Sequence, residues 1–360
     1  MEGQAFVQQP EESGTLTDVG RMLNRMQHGL RRFMRNRQSR SEVIVSFVLI
    51  VYDMPAQAQN TVWSLLPDYQ RDTRLQDYEV IIVENESANT MSRDFLDALP
   101  PNFSYHLRKE SRPTPIYAIN YGIEQARGDN ICVMIDGARL LTPGIVKNTI
   151  LGHRLSTQAV VTVPGYHLGF ELQQIAVSNG YDVEREQALM NSISWPDNGY
   201  RLFEISCFSG SCKHGFYLAH SESNCISMPR DLWREIGGYD VRFDIRGGGL
   251  VNLDLYKRAC EYPGITHVFL HGEGTFHQFH GGSTTGGEDI QAREKLIDAI
   301  RDQYKQIHGK KFTAPETNPI YLGELSHEVQ KFVQISSNKI MERLTNRAEV
   351  PETLAPFLDN

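Results

Sequence analysis

The chain has 360 residues, 40% of them hydrophobic, enough for one large α/β domain with extensions or for two modest domains. Its formal net charge of -8 gives no basic excess, which argues against general nucleic-acid binding, since that needs a phosphate-tracking surface, and leaves room only for a local basic patch. The longest apolar run, residues 43–52, is about half of what a membrane-spanning helix requires.

Residues 1 to about 17 are polar and aperiodic and read as a leader. Across residues 18–40, Val19, Met22, Leu23, Met26, Leu30, Phe33 and Met34 recur at helical spacing while arginines load the other faces, which predicts a basic amphipathic helix. Such a helix either docks on its own domain or makes peripheral contact with an anionic membrane surface or a partner. Cys132, Cys207, Cys212, Cys225 and Cys260 form no CxxC pair, so the expectation is free thiols in a cytoplasmic protein.

From Ser41 the pattern alternates between β and α. Residues 43–51 are a continuous apolar run suited to a buried parallel strand, and a helix over 57–66 follows. Strands are predicted at 78–83, 104–107, 130–135 and 159–163, and helices at 91–99, 117–126 and after Gly144. A long, less regular stretch runs to about residue 221 and reads as binding loops. Two helices, 288–308 and 325–344, flank a turn-rich segment with Pro315 and Pro319. The expected organisation is a leader (1–40), an α/β domain (41–286) and a C-terminal helical extension (287–360).

Open sheets of this kind bind ligands at the carboxyl ends of their strands. That singles out Tyr52-Asp53, Glu84-Asn85-Glu86 and Asp136-Gly137-Ala138-Arg139. Together with Asn120-Tyr121-Gly122 and the run from Met228 through Gly237-Gly238 to Asp240, these segments resemble, in order and approximate spacing, the family 2 glycosyltransferases. The resemblance covers about residues 43–285 and implies a GT-A fold, a Rossmann-like mixed sheet flanked by helices. It also implies transfer of a sugar from a nucleotide diphosphate sugar, UDP-linked by expectation, to a glycan or other hydroxyl acceptor with help from Mn2+ or Mg2+.

By that resemblance Tyr52 lies on the nucleotide base, and Glu84 and Asn85 occupy the place where the family reads a uracil edge. Asn85 offers both donor and acceptor for that role, or it caps a turn. Asp136 matches the first acid of the family's DxD motif, but Ala138 replaces the second and cannot ligate a metal. Either Arg139 neutralises the diphosphate directly with its guanidinium fork, or the cation recruits Glu273, His277 and His280 from the segment where the family places a late histidine. One of the two histidines would otherwise bond the pyrophosphate while the other packs. The polar loop 281–287 is either a lid over the donor or ordinary surface.

Inverting members carry an acidic pair where this chain has Val251 and Asn252. A general base must then come from elsewhere, with Asp254 as the nearest candidate and Asp240 and Asp244 behind it. Asp254 would alternatively pair with Lys257 or Arg258. Trp195 and Trp233 stack on a sugar or, as the simpler expectation, pack in the core. The altered acids also motivate a second reading, a catalytically silent GT-A domain that binds nucleotide or glycan as a scaffold. A nucleotidyltransferase is disfavoured, because no Gly-rich activation loop follows the first strand.

Overall fold

The structure, a computed structural model, describes residues 43–280 and 290–345, all within one unit of the chain, Glu42–Asn360. The leader, with the amphipathic helix expected over 18–40, and the loop 281–287 lie outside the described residues. In chain order the elements are β1 (Val45–Val51), α1 (Pro55–Trp63), β2 (Tyr78–Asn85), α2 (Arg93–Asp97), β3 (Phe103–Arg108), α3 (Ile116–Gln125), β4 (Asn130–Met134), β5 (Arg139–Leu141), α4 (Ile145–Leu155) and β6 (Ala159–Thr162). There follow β7 (Gly165–Leu168), α5 (Gln173–Ser178), α6 (Val183–Ile193), β8 (Ser206–Phe208), β9 (Cys225–Pro229), α7 (Arg230–Glu235), α8 (Val251–Cys260), β10 (Thr266–Leu270), β11 (Thr275–His277), α9 (Ile290–His308), β12 (Ile320–Leu322) and α10 (Gln330–Thr345).

The main sheet has the order β12-β10-β6-β9-β4-β1-β2-β3 and is parallel except for β9, which runs antiparallel to both β4 and β6. It is a mixed sheet flanked by helices, as the resemblance implied. β1 and β2 are buried at every residue, which is why both read as largely apolar runs, with the buried Ser46 and Glu79 hydrogen-bonded to each other. Their alternate residues feed two cores. Val45, Phe47, Leu49 and Val51 pack with the first helical layer, and Val48 and Ile50 face α3, α7 and α8 on the other side. Gly122 lets α3 lie close on the sheet, since a Cβ there would come within 2.3 Å of Val48 Cγ1.

Three expectations are corrected. The helix expected over 91–99 is the short α2: the Ser92 side chain accepts from Phe95 N and caps it, leaving Met91 outside. The irregular stretch before residue 221 holds β7 and β8, which join β5 and β11 in a second sheet of order β5-β11-β7-β8. The C-terminal part is more than an appended pair of helices. β12 pairs in parallel with β10, Tyr304 joins the second core, and Phe332 packs among Tyr166, Phe203 and Phe208 beneath the small sheet.

All five cysteines are free thiols. No helix among the described residues is long and apolar enough to cross a membrane.

Candidate active site

The carboxyl ends of β1, β2 and β4 deliver Tyr52, Asn85 and Asp136 to one edge of the main sheet, and the small sheet brings a second set of side chains against Asp136. The Asp136 carboxylate bends the chain back on itself by accepting from Ala138 N at 3.0 Å, so that β5 starts at Arg139. β11 pairs with β5 on one side and β7 on the other, which aligns Arg139, His277 and His167 side by side across three strands.

His277 Nε2 lies 2.9 Å from Asp136 Oδ2, and His280 Nε2 lies 3.7 Å from Oδ1. The two imidazole Nε2 atoms are 3.1 Å apart, and all three ligand atoms fit within 4.8 Å of one another. A carboxylate and two imidazoles form a donor set suited to Mn2+ and similar divalent ions. Burial holds the His277 imidazole down to about 4, against the pull of Asp136, so its ring is neutral near pH 7 and its lone pair can serve a cation. Burial also pushes Asp136 up, but the neighbouring histidines and Arg139 outweigh it and keep the carboxyl well below its usual range.

Arg139 is almost wholly buried, with Nε 3.5 Å from Asp136 Oδ2. Its Nε and Nη1 have no hydrogen-bond partner among the described residues. Buried N–H donors without acceptors are costly, and here they sit beside the three-ligand cluster, where an anion would satisfy them. His167 stays neutral, its pKa pushed to about 3 chiefly by burial, and its Nδ1 accepts from Gln173 N at 2.9 Å.

The segment carrying the histidines is clamped from several directions. Gln278 N donates to Ala138 O at 2.8 Å, Gln278 Nε2 to Gln57 O at 3.0 Å, and Gln57 Nε2 to Phe279 O at 2.8 Å. Phe279 N donates to both oxygens of the buried Glu186 at 2.9 Å each. These contacts fix the backbone that leads into His280.

Residues 46–144 match the sequence model of Glycosyl transferase family 2. This stretch, which runs from β1 to just past β5, is therefore similar to that family. A comparison with curated proteins gives no match. Among solved structures, the chain is similar to S. aureus TarS residues 1–349 in complex with UDP-GlcNAc, with 11% identity and a TM-score of 0.46 over 88% of this chain and 78% of that one. It is also similar to the mannosyltransferase PcManGT from Pyrobaculum calidifontis in complex with GDP-Man and Mn2+, with 11% identity and a TM-score of 0.42 over 89% of this chain and 79% of that one.

For the candidate site, the remaining sequence expectations divide. Tyr52 is 54% exposed at the end of β1, free to meet a planar ligand. Asn85 is buried with its Oδ1 unpartnered among the described residues. Glu84 is not available to a ligand in the same way: its carboxylate accepts from Met91 N at 3.1 Å and from Tyr105 OH at 2.7 Å, tying the loop after β2 to β3.

Glu273 is corrected from metal ligand to internal lock. It lies at the far side of β11, outside the three-ligand cluster, and accepts from Thr142 Oγ1, Asn148 Nδ2 at 2.8 Å and Tyr200 OH at 3.0 Å. Burial pushes its carboxyl up even so.

Asp254 is corrected from candidate base to structural pair. It is buried in α8, accepts from Arg258 Nε at 2.7 Å, and faces His308 Nε2 of α9 at 2.9 Å. Lys257 pairs with Glu261 instead. Asp240 accepts from Arg242 N, Nε and Nη2, and this pairing holds its carboxyl below the ordinary value, which makes it a weak proton acceptor. Asp244 accepts from Gln303 Nε2 at 2.6 Å.

Trp195 and Trp233 both pack in the core. Trp195 sits edge-on against Trp63 and Tyr69, and Trp233 donates to Ile131 O and stacks on Tyr239. Sequence reasoning passed over His167, Glu186 and Gln278. His167 and Gln278 lie on or beside strands of three or four residues, too short for a periodic signal, and Glu186 lies on a helix whose pattern names only its apolar face.

Proposed function

We propose that the chain transfers a sugar from a nucleotide diphosphate sugar, with the UDP form as the first to probe, to a hydroxyl acceptor. The observation that carries this reading is the convergence of Asp136, His277 and His280 beside the buried Arg139, whose Nε and Nη1 have no hydrogen-bond partner among the described residues. In this reading Asp136, His277 and His280 hold a divalent cation. Bound there, such an ion supplies Lewis-acid stabilisation to the departing diphosphate.

Arg139 donates its free N–H groups to diphosphate oxygens, a charge-assisted contact for which the planar fork is suited. The neutral state of His277 leaves its nitrogen available without a prior proton loss. Tyr52 stacks on the base from its exposed position, and the unpaired Asn85 Oδ1 accepts from the base edge at the end of β2. Glu84 then acts through the fold, by fixing the loop that follows Asn85.

A thermal-shift series of the full chain with UDP, GDP and their common sugars, each with Mn2+ and with EDTA, tests the donor site. A bound ligand at 100 times its dissociation constant stabilises by about 2.7 kcal/mol. The expected result is a nucleotide response that needs the metal, followed by release of nucleoside diphosphate from the matching donor. Binding without any turnover would favour the scaffold reading, and the absence of both would overturn the donor site.

A further inference from the structure

Transfer to a hydroxyl needs a group that takes the hydroxyl proton, and the carboxylates singled out from the sequence are engaged elsewhere. Asp254 is held by Arg258 and His308, Asp240 by Arg242, and Glu84 and Glu273 by donors inside the fold. Glu222 differs from these. It is half-buried, and its single hydrogen bond among the described residues is from Asn252 Nδ2 to its Oε2 at 2.8 Å.

The sheet places Glu222 at the edge where Asp136 stands. β9 runs antiparallel to β4 with Met134 opposite Cys225. Asp136 lies two residues beyond Met134 and Glu222 three residues before Cys225, so each is within roughly 10 Å of chain from the same paired position. Ser223, next to Glu222, donates to Val163 O at 2.9 Å just past the end of β6. The chain at Glu222 therefore enters β9 from the same edge of the sheet at which β4 and β6 end, the edge where ligands bind in open sheets.

Asn252 is the second residue of α8 and is itself held firmly. Its Oδ1 accepts from Tyr239 OH at 3.1 Å, and its Nδ2 also donates to Ser223 O at 3.2 Å. Tyr239 is anchored in turn to Asn120, which accepts from its N and donates to its O. Gly238 makes room for this contact: at φ 64° its Cβ would come within 2.8 Å of Asn120 Oδ1. An amide at 252 orients Glu222 without neutralising it, whereas an acid there would face it with a like charge.

We propose that Glu222 is the general base for transfer and that Asn252 is its positioning residue; the proposal rests on the transferase reading above. As an acceptor oxygen bonds to the anomeric carbon, its proton passes to the Glu222 carboxylate. The bond from that carbon to the diphosphate oxygen breaks, and its electron pair leaves with the nucleoside diphosphate. The proton is later released to solvent.

The test uses the full-length chain with Mn2+ and UDP-glucose, UDP-N-acetylglucosamine, UDP-galactose and GDP-mannose, following nucleoside diphosphate release with water as acceptor. Glu222→Gln keeps the shape and an oxygen for Asn252. The expected result is a fall in kcat of about 100-fold or more, with UDP affinity by calorimetry within about threefold of wild type. The acidic limb of the pH–rate profile should vanish, and formate should restore part of the rate to Glu222→Gly. A Glu222→Gln rate within about fivefold of wild type, or a loss that follows UDP binding step for step, overturns the base. Should the wild-type chain bind UDP yet release no nucleoside diphosphate from any donor, the transferase reading falls first and the base with it.

Discussion

Replacing Glu273 separates a structural lock from a metal ligand. Three donors converge on its buried carboxylate, from Thr142, Asn148 and Tyr200, and the cavity is so close-fitting that a Cβ on Gly144 would lie 2.2 Å from Oε1. Each buried donor left without a partner costs about 1–3 kcal/mol, so Glu273→Ala should lose about 4 kcal/mol after partial relaxation. At about 2–4 °C per kcal/mol, the melting temperature should fall by roughly 10 °C. Glu273→Gln should lose less, because the Thr142 and Tyr200 hydroxyls can turn to accept from the new amide. The assay is thermal unfolding of each variant beside Mn2+-dependent UDP binding measured well below the transition, where binding should match wild type. Loss of the metal-dependent binding with an unchanged melting temperature would refute this account and return Glu273 to the ligand set.

Asp136→Asn or His280→Ala should remove the metal-dependent part of UDP binding while the chain still unfolds cooperatively, as read by calorimetry with and without EDTA. Arg139→Lys replaces a planar fork by a point charge and should weaken UDP by about tenfold, visible in the same titration. Glu186 tests pH dependence: burial raises its carboxyl to about 7 in the fold, above the roughly 4.3 of an unfolded glutamate. The protonated form is thus favoured in the native state, and the associated stability, of order 3 kcal/mol, is complete below the unfolded value and lost as pH rises through 7. Melting curves from pH 4.5 to 8 should therefore decline more steeply for wild type than for Glu186→Gln. Phe332→Ala should cost about 3–5 kcal/mol in chemical denaturation, since its ring fills the aromatic cluster under the small sheet and a cavity would remain.

The parallel half of the sheet was legible because β1, β2 and β4 are buried runs with turn residues at their ends, and the same feature marked Tyr52, Asn85 and Asp136 as edge residues. The small sheet was not legible. β5, β8 and β11 are three residues each, too short to show alternation, and the pairings of β11 with β5 and β7 join positions more than a hundred residues apart. This is why His277 and His280 could be proposed from the late-histidine resemblance, yet their alignment with Arg139 and His167 could not. Glu273 misled for a related reason. Its closeness in sequence to His277 suggested a shared role, but its partners come from β5, α4 and the segment around Tyr200. For Asp254 the i,i+4 spacing to Arg258 correctly offered a pair, whereas His308, some fifty residues later, gave no signal.

The two altered acidic positions have different physical explanations. Ala138 is fully buried, its N–H donates to Asp136 and its carbonyl accepts from Gln278 N, so the position serves as a backbone joint between β4 and β11. A carboxylate there would enter a packed site and need its own compensation. The joint instead brings the β11 segment against Asp136, which places two imidazoles where that segment can supply nitrogen donors. Asn252 is likewise an anchored joint, fixed by Tyr239, with the nearest carboxylate carried by the chain entering β9. In both places the helix or turn residue holds its neighbours, and in the proposed reading a neighbouring segment carries the functional group. Under this view Asn252→Asp should not improve the enzyme: it would set a second negative charge against Glu222, and the acidic limb of the pH–rate profile should move to higher pH. An increase in rate with an unmoved limb would instead show that position 252 faces the acceptor by itself.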